Sequence, residues 1–153
     1  MAHLDQFPGP MRSLLAKLEC PSFESQPWVE GPPLSRRRIA IVSTAGLHNR
    51  DDRPFTSVSE EYRVIPGDIV ANDLVMSHLS TNFDRTGFQQ DWNVIFPIDR
   101  LREFADQGSI GSVADFHYSF MGATDPMKME PVARDLAGLF KKDQVDGLLL
   151  VPV

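Results

Sequence analysis

The last forty residues constrain this chain more than any other stretch. Residues 112–120 alternate as a strand does, and 122–125 carry turn residues. Residues 130–142 set Val132, Leu136, Leu139 and Phe140 at helical spacing, and 148–153 form a short, nearly continuous apolar run. Strand, helix and strand within that length predict a βαβ unit, a parallel pair joined by a right-handed crossover. A strand that is apolar throughout predicts burial on both faces, so Leu148 to Val153 is expected inside the sheet and not at its edge. Open parallel sheets place their chemistry just beyond the carboxyl ends of their strands, which makes the end of this run the place to look.

Upstream, Arg38-Ile39-Ala40-Ile41-Val42-Ser43 is a β-branched run leading into a tight turn at Thr44-Ala45-Gly46. Residues 47–60 read as a polar loop. Tyr62 to Ile65, Asp73 to His78 and Asn93 to Ile98 read as further strands, with Pro66-Gly67 and Pro97 at two of their ends. Asp99 is expected to cap a helix over Arg100 to Gln107, with Leu101 and Phe104 inward and Gly108 as its stop.

Residues 1–34 differ in kind. A short helix over Met11 to Glu19 would put Leu14, Leu15 and Leu18 on one face. After it come Cys20-Pro21, Pro27-Trp28 and Gly31-Pro32-Pro33, where neither helix nor strand persists. The expected organisation is an N-terminal arm, 1–34, packed on the domain or on a partner, and an α/β domain, 35–153. Its mainly parallel central sheet would be flanked by helices in the three-layer manner of Rossmann-like and flavodoxin-like folds.

Composition excludes several function classes. A formal net charge of −6 argues against a nucleic-acid scaffold, which needs a basic face. The one basic cluster, Arg36-Arg37-Arg38, reads as a solvated strand flank. A single cysteine, Cys20, excludes an internal disulfide framework and a multi-cysteine zinc site, and fits a reducing compartment. No apolar run is long enough to span a membrane, and the N-terminus lacks the pattern of a secretion signal. The expectation is a cytoplasmic protein.

Polar residues gather at three strand-to-loop junctions. One cluster runs from Gly46 through His48, Arg50, Asp51 and Asp52. A second spans Ser77 to Asp91 and holds His78, Thr81, Asn82, Asp84, Arg85, Gln89 and Gln90. The third is His117 in His117-Tyr118-Ser119-Phe120-Met121-Gly122. Three histidines near strand ends can converge on one rim. His48, His78, Asp51, Asp52 and Asp84 are metal-ligand types but lack a diagnostic spacing, so no metal is expected. Adjacent Asp51 and Asp52 read first as loop carboxylates, and Asp84-Arg85 as a local ion pair that shapes its loop. Gln89, Gln90 and Asn93 read equally as substrate contacts or as partners of loop backbone. His117 reads equally as a site residue or a satisfied core histidine. Met121, Met127 and Met129 read as packing. No GxSxG elbow is present, and Gly108-Ser109-Ile110-Gly111-Ser112 lies between helix and strand, the wrong order for a phosphate cradle.

Several runs in fixed order resemble one family. They are Val42 to His48 with Arg50-Asp51-Asp52 and Pro54-Phe55, then Tyr62-Arg63 with Ile65-Pro66. Ser77-His78 follows, with Phe83-Asp84-Arg85-Thr86-Gly87, Gln89-Gln90-Asp91, Asn93-Val94 and Phe96 to Leu101. Gly108, Ile110 to Ala114, His117 to Gly122 and Leu150 to Val153 complete the set. Together they are similar to the selenoprotein B subunits of glycine, sarcosine, betaine and D-proline reductases, from about residue 38 onward.

The resemblance implies an oxidoreductase that cleaves a C–N bond at the α-carbon of an amino acid or betaine. A selenocysteine, or a cysteine in some relatives, attacks that carbon. It implies a pyruvoyl group on a separate partner subunit, which holds amine substrates as a Schiff base, and a thiol or selenoprotein electron donor. A selenolate is ionised at neutral pH and polarisable, which suits displacement of a poor nitrogen leaving group. In the family the nucleophile follows the strand that resembles Leu148 to Val153. The expectation is therefore that no catalytic nucleophile lies within these residues, that the sequence halts at a UGA selenocysteine codon, and that this chain alone is inactive. Supporting roles would fall to His48, Asp51, Asp52, His78, Asp84, Arg85, Gln89, Gln90 and His117, with a homo-oligomer as a further option. The competing class is a non-catalytic binding or interaction module that kept the scaffold and lost the nucleophile.

Overall fold

The computed structural model describes residues 4–80 and 83–153 of the chain. Thr81 and Asn82 of the second polar cluster and residues 1–3 of the arm lie outside them. The backbone is built around one strand. β1 (Arg38–Ser43) carries the β-branched run, and Ile41 and Ala40 at its centre have no solvent exposure. On one side it pairs in parallel with β7 (Gly147–Val151) along its whole length, from Ile39 opposite Gly147 to Ser43 opposite Val151. On the other side two short parallel strands share its length. β5 (Ser112–Val113) meets Arg38 and Ile39, and β6 (Phe116–Ser119) meets Val42 and Ser43. β3 (Arg63–Pro66) then adds antiparallel to β6. Beyond this sheet, β2 (Leu47–Asn49) and β4 (Leu74–Met76) form a two-stranded antiparallel ribbon.

The expected strand over 112–120 is thus broken, and the break has a visible cause. Asp143, just past the helix α4 (Glu130–Lys142), aims one carboxylate oxygen at the backbone N–H groups of Asp115 and Phe116, at 3.0 and 3.3 Å. Its other oxygen accepts from Arg38 at 2.6 Å, and Arg38 also reaches the Val113 carbonyl and Asp115. The donors that the break frees are therefore met by a side chain, as buried backbone requires.

Helices cover both faces. Alternate residues of β1 point oppositely. Ile39 and Ile41 join Leu47, Ile65, Phe96, Ile98 and Leu101, packing under α3 (Ile98–Asp106). Val42 joins Tyr118, Phe120 and Leu136 under α4, where the expected apolar positions Val132, Leu139 and Phe140 also pack. The architecture is α/β with a mainly parallel sheet.

Five expectations are corrected. Residues 47–49 form β2, because Leu47 is fully buried and its N–H donates to Ser119 Oγ at 2.8 Å. Asn93 to Ile98 is no strand. Asn93 and Trp92 donate to the Asp99 carboxylate at 2.9 and 2.7 Å, and Asp99 N–H returns a bond to Asn93 Oδ1, folding the segment into a tight turn ahead of α3. Asp99 consequently sits in the first turn of α3 with Pro97 at the cap position. Phe104 is exposed, because Ile98, Leu101 and Ala105 form the inward stripe and it lies beside that stripe. The terminal strand is not interior. Among the described residues β7 pairs only with β1, and its Leu148 and Leu150 are 47% and 65% exposed. The βαβ unit exists, but β1 lies between its two strands.

The Arg38–Asp143 latch gives a first test. Asp143→Ala strands the Asp115 and Phe116 donors and a partly buried guanidinium, and is expected to destabilise the fold by about 2–3 kcal/mol. Denaturant unfolding measures this, and a loss under ~0.5 kcal/mol, the scale of an ordinary surface substitution, would contradict the assignment.

Candidate active site

The carboxyl ends of β1, β6 and β7 converge around Thr44. Its N–H donates to the Val151 carbonyl at 3.1 Å, its carbonyl accepts from Gly122 N–H at 2.8 Å, and its hydroxyl accepts from Val153 N–H at 2.9 Å. Two residues on, Gly46 has φ +66° and donates to the Phe120 carbonyl. A side chain there would be strained and would stand 2.9 Å from the His78 backbone nitrogen, so glycine lets the 77–78 backbone pass close to the end of β1. Ser77 N–H donates to the Gly46 carbonyl, and Ser77 Oγ accepts from Phe55 N–H.

These ends open into a cleft of about 780 Å³. Its floor and near wall are Met121, Gly122, Thr124 and Val153, with Leu79 and Ser80 beside them. Its far wall is the N-terminal arm, through Met11, Leu14, Leu15 and Leu18. Among the described residues Asp125 is the one charged side chain lining the cleft, and that carboxylate accepts from Met127 N–H. A second cleft, about 480 Å³ and lined by Gly67, Asp68, Arg102 and Asp115, lies toward the start of β6, away from the strand ends.

The expected site residues separate into different settings. The three imidazoles are all buried, yet each meets a different phenylalanine edge-on: His48 meets Phe55, His78 meets Phe83 and His117 meets Phe96. His117 lies inside β6, not at its rim, and its Nδ1 accepts Ile41 N–H at 2.9 Å, on the side of β1 where the ladder is broken. Burial drives its pKa from 6.5 down to about 4, with the charge of Arg102 adding to the effect. His48 donates from Nδ1 to the Asn49 carbonyl at 2.7 Å, under a Phe55 ring that Arg63 covers at 4.6 Å. His78 Nδ1 accepts Ser80 N–H at 3.1 Å, and burial, helped by the nearby Arg85 charge, pushes its pKa below the ordinary value. Nε2 of each ring is buried without a hydrogen-bond partner among the described residues.

The second polar cluster does reach the cleft. Arg85 donates to the carbonyls of His78 and Ser80, at 2.5 and 3.4 Å, and so stands behind the Ser80 wall. Asp84 binds the Thr86 N–H and hydroxyl, which hold its carboxyl below the usual range. The expected Asp84–Arg85 ion pair is therefore replaced by two separate bonds to the same loop. Gln89 and Gln90 are exposed on α2 (Thr86–Gln90). Asp52 accepts from the Asn49 backbone and side chain, and Asp51 is exposed, so both stay turn carboxylates. Among the described residues no group of three His, Cys, Asp or Glu side chains could hold a metal. No helix there is long and apolar enough to cross a membrane.

Residues 16–153 match the family model described as glycine/sarcosine/betaine reductase selenoprotein B. The chain belongs to that family. The match begins inside the arm, earlier than residue 38, and leaves out the arm helix α1 (Gly9–Leu15). Among curated relatives, the D-proline reductase subunit gamma of Acetoanaerobium sticklandii is 35% identical over 115 residues, 73% of this chain and 47% of that protein. The glycine reductase complex component B subunit gamma of Symbiobacterium thermophilum is 31% identical over 140 residues, 85% of this chain and 32% of that protein. The betaine reductase complex component B subunit beta of Peptoclostridium acidaminophilum is 28% identical over 122 residues, 76% and 28%. The chain spans less than half the length of these relatives. No solved structure matches it.

Thr44, Ser77, Ser119 and Gly122 lie within runs that the sequence singles out, but the bonds they make at the strand ends are not legible there. A serine or threonine that caps a neighbouring strand's backbone has no spacing of its own. The His117 bond yields a test with a definite sign. Its folded pKa of about 4 lies below the unfolded 6.5, so stability is held above pH 6.5 and lost as pH falls toward 4. Between pH 7 and 4.5 this one group is expected to contribute ~2 kcal/mol of the loss. Unfolding of the wild type and His117→Gln at both pH values measures it. Equal pH slopes would show that the ring titrates in the fold as it does in the unfolded chain and would contradict its burial as the neutral acceptor.

Proposed function

We propose that this chain is the scaffold of a reductase B subunit that cleaves a C–N bond at the α-carbon of a small amino acid or betaine. The nucleophile, a selenocysteine or cysteine, would enter at the carboxyl end of β7. The observation that carries this reading is the placement of Val153. Its N–H is held by Thr44 Oγ1, and it lines the cleft at the ends of three parallel strands. Cys20, the one thiol of the chain, is exposed in the arm and lines no part of that cleft.

A selenolate supplies an ionised, polarisable nucleophile, and a pyruvoyl group on a partner subunit makes an amine nitrogen a better leaving group. The residues at the end of β7 fit such a nucleophile. Leu79 and Met121 offer apolar walls beside it. Among the described residues no lining side chain is a cation, so a substrate carboxylate would be met by a neighbouring group. Arg85, one layer behind Ser80, is suited to that, and His78 fixes the Ser80 backbone in front of it. The relatives are named as components of multi-subunit reductases, and this chain would likewise work with a pyruvoyl-bearing subunit and a thiol or selenoprotein electron donor.

The chain alone, given a dithiol, is expected to release no amine or ammonia from glycine, sarcosine or betaine and to form no ring-opened amino acid from D-proline. A complex that also supplies the selenocysteine and the pyruvoyl group is expected to turn over. In it, Arg85→Ala should lower kcat/KM about tenfold or more, mainly through KM. Turnover by the chain alone that Cys20→Ser abolishes would place the nucleophile in the arm and overturn the proposal.

A further inference from the structure

The far wall of the cleft is an unusual element. α1 is seven residues long, too short to be stable by itself, and none of its residues is buried. Its Arg12 donates to the carbonyls of Asp5 and Phe7, both within the arm. The arm's apolar side chains Met11, Leu14, Leu15 and Leu18 face Leu79, Met121 and Val153 across the cleft. Yet Leu14, Leu15 and Leu18 keep 66%, 39% and 50% of their exposure, so this seam is only partly closed. Between the arm helix and Leu34 the chain has no regular helix or strand, and it carries Pro21, Pro27, Pro32 and Pro33. The far end of that connector is pinned, because Arg37 Nε donates to the Pro32 carbonyl at 2.7 Å. An apolar, half-closed helix on a strap that is anchored at one end has the form of a hinged cover.

We propose that the arm is a lid for the carboxyl end of the sheet, seated through Leu14, Leu15 and Leu18 on Leu79, Met121 and Val153 and swinging on residues 21–31. The lid rests on the reading of the cleft as the reaction site, and it adds a gate to it. Closure buries the remaining leucine surface and removes water from around Val153, just past the end of β7. A soft seam of a few half-buried side chains is weak enough to open for entry of substrate or of a partner's reactive group. α1 precedes the family match, which begins at residue 16, while Leu18 of the seam lies within it.

The test reads the seam from both sides and needs no turnover. Native-state amide exchange of Val153 and Thr124, followed by NMR, reports how often the cleft is uncovered. Leu14→Asp/Leu18→Asp on the arm and Leu79→Asp on the body alter exposed side chains, so the fold is expected to persist. Each is expected to speed exchange at Val153 and Thr124 by about tenfold. Exchange at Ile41, in the centre of the sheet, should stay unchanged and so serves as the control for global unfolding. A deletion of residues 1–18 should match the double variant. Unchanged exchange at Val153 and Thr124 in the deletion would overturn the lid while leaving the catalytic reading intact. Faster exchange in the deletion but not in the two seam variants would overturn the proposed seat.

Discussion

The structure depends on satisfying one strand's backbone on both sides. β1 is central, buried and parallel to its neighbours, so every N–H and C=O it presents needs a partner. β7 meets one side completely. The other side is met by two short strands with a break between them, and the break is where side chains take over from backbone. The His117 ring accepts the Ile41 N–H, while Asp143 accepts from Asp115 and Phe116 and grips Arg38. The His117–Ile41 and Arg38–Asp143 bonds join residues 76 and 105 positions apart in sequence, so the sheet, α4 and the chain entering β1 form as one unit.

From that unit the position of the site follows. With β1 fixed, Thr44 necessarily emerges beside Val151 and Phe120, and its three polar atoms collect the ends of β7 and β6. Gly46 then turns the chain so that β2 lies against β4, and the 77–85 loop is delivered to the rim. The same geometry explains why the histidines divide. Of these three, His117 serves β1 from within the core, His48 is buried in β2 against Phe55, and His78 stands beside the cleft wall. Burial keeps His78 and His117 more weakly basic than a free histidine, which favours neutral rings in structural roles.

Much of this was legible in the sequence because local chemistry decided it. The run 38–43 could only be a buried strand, and helix 130–142 ends where its apolar spacing predicts. Gly108, with φ +71°, stops the preceding helix as expected. Failures came where a side chain outside a segment overrode its local pattern. Residues 93–98 look like a strand until Asp99 draws in Trp92 and Asn93. The stretch 112–120 looks continuous until Asp143 takes its donors. The apolar run predicts Leu148 and Leu150 to be interior, but among the described residues β7 has one neighbour strand, β1. For the site, the histidines drew attention by type, whereas Thr44, Ser77 and Ser119 act through backbone contacts that no motif records. Family membership was legible because the ordered runs from Val42 to Val153 survive where no single motif is diagnostic.

The central claim is that chemistry enters at the carboxyl end of β7 and not at the cleft near the start of β6. A photo-crosslinking amino acid placed at position 153, and separately at position 68, in the complex reconstituted with the pyruvoyl-bearing subunit tests it directly. The account predicts that position 153 crosslinks to that subunit near its pyruvoyl group and that position 68, beside Arg102 and Asp115 in the other cleft, does not. Crosslinks from position 68 alone would contradict it and would move the reaction to the opposite end of the sheet.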